Sequence, residues 1–173
     1  MVDTDPQASI GNWYQADKAK FDLAEAASEK DIYGVKKSLG AYDYVIIDGA
    51  AAISAISAAA VMVSDAVLIP VSPSPLDFAA SGAIISITEA RQALSPLPVR
   101  FLITKKIQNA KMLEVLRDSI KDTGIAVLKT ATAQRQSYIK TMLDGTTIFE
   151  TPDSQAKAEI ELITKEIMEL VRV

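Results

Sequence analysis

Short, nearly continuous runs of Val, Ile and Leu alternate along this chain with longer segments of helical periodicity. Such runs are typical of strands in a parallel sheet, because helices cover both faces of the sheet and bury them. The predicted strands are residues 1–3, 21–24, 44–48, 66–71, 99–104 and 125–128. Their alternation with helices predicts an α/β fold, a doubly wound and mostly parallel sheet flanked by helices.

The segments between these strands predict helices at residues 31–39, 53–63, 76–94 and 109–123. In the last of them Leu113, Leu116 and Ile120 form one apolar stripe, as in a helix that packs on a sheet. A C-terminal helix is predicted after a cap at Asp153 or Ser154. Since the 173 residues contain no linker or internal repeat, we expect a single domain spanning residues 1–173.

The chain has no cysteine and no histidine. This excludes thiol and Ser-His mechanisms, and metal sites built on Cys or His ligands. The remaining chemistry is that of carboxylates, lysines, hydroxyls and backbone amides. No apolar run reaches the roughly 20 residues of a membrane-spanning helix, and no secretory signal is visible. We therefore expect a cytoplasmic protein that does not bind membranes.

A basic segment lies inside this acidic chain, whose net charge is −4. Residues 100–140 hold nine basic and three acidic side chains, an excess that is typical of a polyanion-binding face. A solvated surface with intrahelical ion pairs would explain the same composition. Arg135, before a helix in a Thr/Ala/Gln-rich loop, is the leading candidate for a phosphate contact, although an exposed arginine at a helix start is an equal explanation. The candidate DNA contacts are Arg135, Lys129, Lys140 and Lys121.

Three aspartates stand where predicted strands end, which is the edge at which parallel sheets bind ligands. Asp3 and Asp5 are two residues apart, and Asp48 ends an apolar strand. One carboxylate there can hold a hydrated Mg²⁺, and another can orient a water for phosphoryl transfer. A loop turn or a helix cap explains any one of these aspartates equally well. The three together favour a site that handles phosphate.

Three motifs follow one another along the chain: Val-Asp-Thr-Asp-Pro-Gln at 2–7, Asp-Tyr-Val-Ile-Ile-Asp-Gly at 43–49 and Val-Ser-Pro-Ser-Pro-Leu-Asp-Phe at 71–78. In this order they resemble the ParA/MinD family of deviant-Walker partition ATPases, and most of all its ParF-type plasmid segregation proteins. The resemblance extends to residues 27–31, 101–106 and 132–136, and so covers nearly the whole chain. It implies a P-loop NTPase fold and a role in plasmid or chromosome partition.

The resemblance also implies roles for individual residues. By it, Asp5 positions the hydrolytic water, Asp48 is the Walker B aspartate near Mg²⁺, and Asp3 supports the metal site.

Four further positions match segments that approach the nucleotide in the family. Thr104 and Lys105 match a segment that approaches the adenine in the family. Pro73 and Asp77 fall in a proline-rich motif associated with nucleotide contacts and self-association. The implied ligands are ATP or ADP and Mg²⁺. The implied partners are non-specific DNA, a centromere-binding adaptor protein and further copies of the chain, as a dimer or a polymer.

One part of the family pattern is not found. Members carry a Lys-Gly-Gly-x-Gly-Lys-Thr phosphate loop, with a first strand and helix, before the segment that matches residues 2–7. This sequence contains no Gly-Lys dipeptide. The amides and lysines of such a loop neutralise the β- and γ-phosphates, which three uncompensated aspartates would repel. The chain is thus either a fragment of a longer ATPase or a natural short form, and hydrolysis by this polypeptide alone stays open.

Two other functions fit parts of the pattern. A phosphoacceptor receiver domain also collects acids at one strand end, then a central aspartate, a hydroxyl and a lysine, here Asp3 and Asp5, Asp48, Ser72 and Lys105. In that case the first strand would be almost absent and the helices would be too long. A binding or assembly module without ATP turnover would instead use the apolar helices and the basic segment 100–140.

Overall fold

The computed structural model describes residues 1–7, 9–14, 21–50, 54–107 and 110–171. Strands and helices alternate along the chain, and every strand pair in the two sheets is parallel. The chain divides into two compact units. The N-terminal unit comprises Met1–Ser64 and Thr141–Thr147, and the C-terminal unit comprises Asp65–Lys140 and Ile148–Val173.

The N-terminal unit contains a three-stranded sheet with β1 in its centre. β1 (Val2–Asp3) pairs on one side with β2 (Ala24–Glu25) and on the other with β3 (Ile47–Asp48). The helices of this unit are α1 (Ser9–Tyr14), α2 (Glu29–Ser38) and α3 (Ala55–Val63), with a short 3₁₀ turn at Leu39–Ala41.

A small apolar core holds the N-terminal unit together. Its buried members are Val2, Ala26, Ile32, Ala59 and Ala60. Ala59 and Ala60 lie on α3, where small side chains let a helix approach its neighbours closely. A capping box starts this helix, because the Ser54 hydroxyl accepts from the Ser57 amide at 3.4 Å and the Ser57 hydroxyl from the Ser54 amide at 3.3 Å. The strand thus packs against helices, as the apolar runs predict.

The C-terminal unit is built on β4 (Val67–Val71) and β5 (Val99–Ile103), which pair in register with Ile69 opposite Phe101. Phe101 is completely buried. Its amide donates to the Ala126 carbonyl at 2.9 Å, and its carbonyl accepts from the Leu128 amide at 2.9 Å. The helices that begin in this unit are α4 (Pro75–Ala80), α5 (Gly82–Gln92), α6 (Ala110–Lys121), α7 (Gln136–Asp144) and α8 (Ser154–Val171), with a 3₁₀ turn at Ile148–Glu150. α7 ends in the N-terminal unit.

The predicted α/β class is confirmed, and the differences are local. The helix predicted at 76–94 is interrupted at Ser81, whose hydroxyl donates to the Asp77 carbonyl at 3.2 Å, and Gly82 follows with its low helix propensity. The strand predicted at 125–128 is an extended segment with a single bridge, between Val127 and Phe101. Helix α1 was not predicted, because its six residues, Ser9–Tyr14, are too few for a helical periodicity to stand out. Among the described residues no helix is long and apolar enough to cross a membrane.

Candidate functional site

Asp3 and Asp48 lie opposite each other at the carboxyl ends of β1 and β3. Asp3 is only 4% exposed. Its Oδ1 accepts from the Asp5 amide at 3.0 Å, and its Oδ2 accepts from the Gly11 amide at 3.3 Å. Both oxygens of this buried carboxylate are therefore engaged by the backbone, as a buried charge requires. Asp3 anchors the loop that follows β1 to the first turns of α1.

Asp5 and Thr4 complete this edge of the sheet. Asp5 is partly exposed, and its Oδ1 accepts from the Gln7 amide at 2.9 Å. The buried Thr4 donates to the Asp48 carbonyl twice, from its hydroxyl at 2.7 Å and from its amide at 3.1 Å. Thr4 thus fixes the backbone of Asp48, a role that was not predicted from the sequence. The position between two aspartates at a strand end was the available signal.

The surroundings of the Asp48 carboxyl disfavour its charged form. Burial raises its pKa, and the negative charges of Asp3 and Asp5 raise it further. The charged form is therefore disfavoured in isolation and gains from a nearby cation.

The donor set at this edge fits a largely hydrated cation. Among the described residues no group of three or more carboxylates is arranged to hold a metal by itself. Because both oxygens of Asp3 are already engaged, Asp48 would be the main protein ligand. One carboxylate with waters and ligand oxygens in the other positions is a common arrangement for Mg²⁺.

A second group of predicted residues gathers in the C-terminal unit. β4 and β5 end side by side, and the Thr104 amide donates to the Val71 carbonyl at 2.8 Å. Pro73 and Asp77 follow β4 at this same edge, while Lys105 follows β5. The structure thus brings all four residues to one end of the two strands. The three aspartates of the first group lie in the other unit.

The two segments at this edge differ in how they are held. After β4, the exposed Asp77 accepts a hydrogen bond from the Ser72 hydroxyl, and its amide donates to the Ser74 hydroxyl at 3.4 Å, which caps α4. After β5, Lys105 has a φ of 52°, the only positive φ of a non-glycine residue among those described. Residues other than glycine rarely adopt this left-handed backbone conformation, so the backbone at Lys105 is held in place by its surroundings.

The residues 129–135, called here the bracing segment, run beside the end of β5. The Thr132 amide donates to the Ile103 carbonyl at 3.0 Å, and the Lys106 amide donates to the Thr132 carbonyl at 2.8 Å. The Gln134 amide in turn donates to the Lys106 carbonyl at 3.1 Å. These bonds continue the parallel pairing beyond β5, on both sides of Lys105.

Two glutamates of α8 hold the other side of the bracing segment. Glu166 accepts from the amides of Lys129 and Thr130 at 2.7 and 2.8 Å. Glu159 accepts from the Ala133 amide at 3.2 Å. Neither glutamate was predicted from the sequence. Their spacing of seven residues, on the same helical face as the buried Ile163, was the available signal.

Glu159 is also the centre of an ion-pair network. It accepts from the Arg135 guanidinium at 2.8 Å and from the Tyr138 hydroxyl at 2.9 Å. Burial alone would raise the pKa of Glu159, but the hydrogen bonds from Arg135 and Tyr138 outweigh it and lower the pKa. Arg135 further donates to Gln155 at 3.0 Å and lies 3.8 Å from Asp153.

The candidate DNA contacts therefore fall into two kinds. Arg135 is engaged by acidic partners within its own unit. Lys121, Lys129 and Lys140 have exposed side chains.

Comparison with known proteins gives relatives that match most of the chain. It is 26% identical over 176 residues to maintenance of carboxysome distribution protein A of Halothiobacillus neapolitanus, covering 97% of this chain and 82% of that protein. It is 26% identical over 164 residues to the protein of the same name from Gloeobacter kilaueensis, covering 91% and 73%. No family model matches.

Two solved structures share the fold. One is described as a plasmid partition protein of Borrelia burgdorferi B31 bound to AMPPNP, with a TM-score of 0.68, 17% identity, and coverage of 97% of this chain and 85% of the other. The second is the MinD cell division protein of Aquifex aeolicus, with a TM-score of 0.65, 16% identity, and coverage of 96% and 82%. These comparisons confirm the predicted fold class and the resemblance to the ParA/MinD family.

Proposed function

We propose that this chain, whose fold is that of the ParA/MinD ATPases, is a nucleotide-dependent positioning protein of the ParA type. It would bind ATP or ADP with Mg²⁺ at the carboxyl ends of β1 and β3. The observation that carries this proposal is the register of β1 and β3, which sets Asp3 beside Asp48 with Asp5 two residues further on. The shared fold with a partition protein bound to AMPPNP supports it.

Each aspartate has a separate task in this proposal. A bound Mg²⁺ would neutralise phosphate charge. Asp48 would hold it, because burial and the charges of Asp3 and Asp5 raise its pKa, and a cation would offset both effects. Asp5, which is partly exposed, would orient the attacking water. Asp3 would position the other two, since its oxygens are engaged by backbone amides.

The triphosphate needs positive partners that the three aspartates do not supply. No Gly-Lys dipeptide occurs in the 173 residues, and uncompensated carboxylates repel phosphate. We therefore expect this polypeptide alone to hydrolyse ATP slowly or not at all. Binding, rather than turnover, is the property to measure first.

A titration with a fluorescent ATP analogue, in Mg²⁺ and in EDTA, tests the proposal. Binding should depend on Mg²⁺, and Asp48→Asn should weaken it because the cation loses its protein ligand. Asp65→Asn is the matched control, since Asp65 is exposed and precedes the amino end of β4. Equal binding by wild type and Asp48→Asn would refute the assigned site. Covalent labelling of Asp48 by a small phosphodonor would instead support the receiver function.

The cargo and the partners form the second part of the proposal. The relatives are named for carboxysome distribution and for plasmid partition, so positioning is the feature they share. We propose that this chain acts in the cytoplasm on plasmid or chromosomal DNA, with a centromere-binding adaptor protein. The exposed Lys121, Lys129 and Lys140 would provide the DNA contacts.

Self-association is supported by an apolar strip on α7. Ile139, Met142 and Leu143 share one helical face, and Leu143 is 82% exposed. Large exposed apolar side chains grouped on one face commonly mark protein contacts. A second copy of this chain, in a dimer or a polymer, is the proposed partner of this strip.

A further inference from the structure

We propose that α8 covers a strand edge in the C-terminal unit, and that a second copy of this chain pairs at that edge when the cover is lost. The edge is the side of the bracing segment that faces α8, and Glu159 and Glu166 are the residues that close it. All of these residues belong to one compact unit. The inference therefore does not depend on the proposed nucleotide site or on the apolar strip of α7.

The bracing segment and the residues just before it extend the C-terminal sheet beyond β5. Parallel bridges join Val127 to Phe101 and Ala133 to Lys106. Three amides of this stretch donate to carbonyls of β5 or of the residues after it, those of Leu128, Thr132 and Gln134. The stretch thus has the hydrogen bonds of a further parallel strand, with one of its edges on β5.

The amides at the other edge of this stretch donate to α8. Glu166 accepts from the amides of Lys129 and Thr130, one on each carboxylate oxygen, and Glu159 accepts from the Ala133 amide. In a larger sheet, amides on this side would donate to the carbonyls of a neighbouring strand. The two carboxylates take the place of that strand as acceptors. Hydrogen bonds to an ionised acceptor are about twice as strong as neutral ones.

The spacing of the two bridges explains why consecutive amides face α8. From Phe101 to Lys106 the chain advances five residues, whereas from Val127 to Ala133 it advances six. An extra residue of this kind is a bulge, which leaves one residue without a partner in the ladder. Glu166 supplies the missing acceptor at this place, because its two oxygens serve two successive amides.

The composition of the covered edge favours a second copy of the chain as the partner. Residues 130–134 read Thr-Ala-Thr-Ala-Gln and contain no charged residue, proline or glycine. Strand edges that face solvent commonly carry lysine or proline, because these residues prevent pairing with another chain. In this run the protection comes from α8 instead. Two identical edges related by a two-fold axis can pair as antiparallel strands, so that each copy supplies acceptors to the other.

Glu166→Ala in the full chain is the test variant, because Glu159 also pairs with Arg135. Glu161→Ala is the matched control, since Glu161 is exposed on the same helix. In size-exclusion chromatography with light scattering, without nucleotide, the mass of Glu166→Ala should rise with concentration toward twice that of the control. Addition of Leu143→Glu, which alters the α7 strip, should leave this association unchanged. An unchanged mass for Glu166→Ala, or its loss of association with Leu143→Glu, would overturn the proposal.

Hydrogen exchange locates the contact. In dilute Glu166→Ala, residues 129–134 should exchange about tenfold faster than in wild type, and a higher protein concentration should slow them again. Wild-type exchange in these residues, or association that leaves them unprotected, would contradict the covered edge. If circular dichroism shows that Glu166→Ala does not fold, Glu166→Gln, which keeps one acceptor oxygen, replaces it. The same changes in mass and exchange, at smaller size, are then expected, and their absence refutes the proposal.

Discussion

Asp3 and Asp48 are neighbours in register, yet their replacement should change stability in opposite directions. Asp3→Ala removes the acceptor of the partly buried Asp5 amide and of the buried Gly11 amide. Hydrogen bonds to a charged group contribute roughly 1.5–3 kcal/mol each, and relief of repulsion with Asp48 returns on the order of 1 kcal/mol at a solvated edge. The net loss should be about 3 kcal/mol, or roughly 6–12 °C in Tm.

Asp48→Asn should leave the protein without ligands equally stable or more stable. Burial and the charges of Asp3 and Asp5 raise the pKa of Asp48 above its ordinary value of 3.8. Its charged form therefore costs the folded state stability, and this cost appears as the pH rises from the ordinary pKa through the raised one. The advantage of Asp48→Asn over wild type should be absent at acid pH and complete near neutrality.

Urea unfolding, followed by circular dichroism and by tryptophan fluorescence, measures both effects. Trp13 is the sole tryptophan, and its indole donates to the Thr146 carbonyl at 3.0 Å, so its emission reports on the N-terminal unit. Asp65→Asn serves again as the control. The reasoning is refuted if Asp3→Ala unfolds at the wild-type midpoint, or if Asp48→Asn at neutral pH destabilises the chain as much as Asp3→Ala does.

Three other predictions concern the C-terminal unit and α7. The stability that Glu159 contributes should be complete above about pH 4.5 and lost as the pH falls through its lowered pKa; in acid titrations Glu159→Gln should therefore show a smaller loss than wild type. In DNA-binding assays at several salt concentrations, Lys121→Gln should reduce the slope of log K against log salt by about 0.9, whereas Arg135→Gln should leave the slope unchanged and lower the Tm. Light scattering with ATP should show less self-association for Leu143→Glu than for Leu94→Glu, a control that alters a leucine outside the strip which is 72% exposed, against 82% for Leu143; equal effects would contradict the assigned strip.

Much of the fold was predictable because it depends on local pattern. The runs that end at Asp48, Val71 and Ile103 are apolar enough to require cover on both faces, and parallel strands with helices follow from that. The cap predicted at Asp153 or Ser154 is also found, because the Asp153 carboxylate accepts from the Ala156 amide at 3.0 Å at the start of α8. The interruption of the helix at Ser81 was not predicted, because a single side-chain hydrogen bond decided it.

The candidate site, like the fold, was only partly predictable from the sequence. That Asp3 and Asp48 meet follows from sequence, because the carboxyl ends of parallel strands share one edge. The supporting role of Asp3 at a metal site stays a prediction, and the tertiary structure adds that each of its two carboxylate oxygens accepts a hydrogen bond from a backbone amide. The role of Arg135 in DNA binding likewise stays a prediction, and the tertiary structure shows that its guanidinium is paired with Glu159, 24 positions away. Contacts between residues so far apart in the chain leave no periodic pattern in the sequence.

The sequence by itself determined the alternation of strands and helices, the edge at which the aspartates gather and the resemblance to the ParA/MinD family. These features depend on residues close together in the chain, and burial and backbone geometry restrict them strongly. Only the tertiary structure decided which charged side chains form hydrogen bonds or ion pairs within the protein and which are exposed. That distinction depends on residues such as Glu166 and Lys129, 37 positions apart, which come together only when the whole unit has packed.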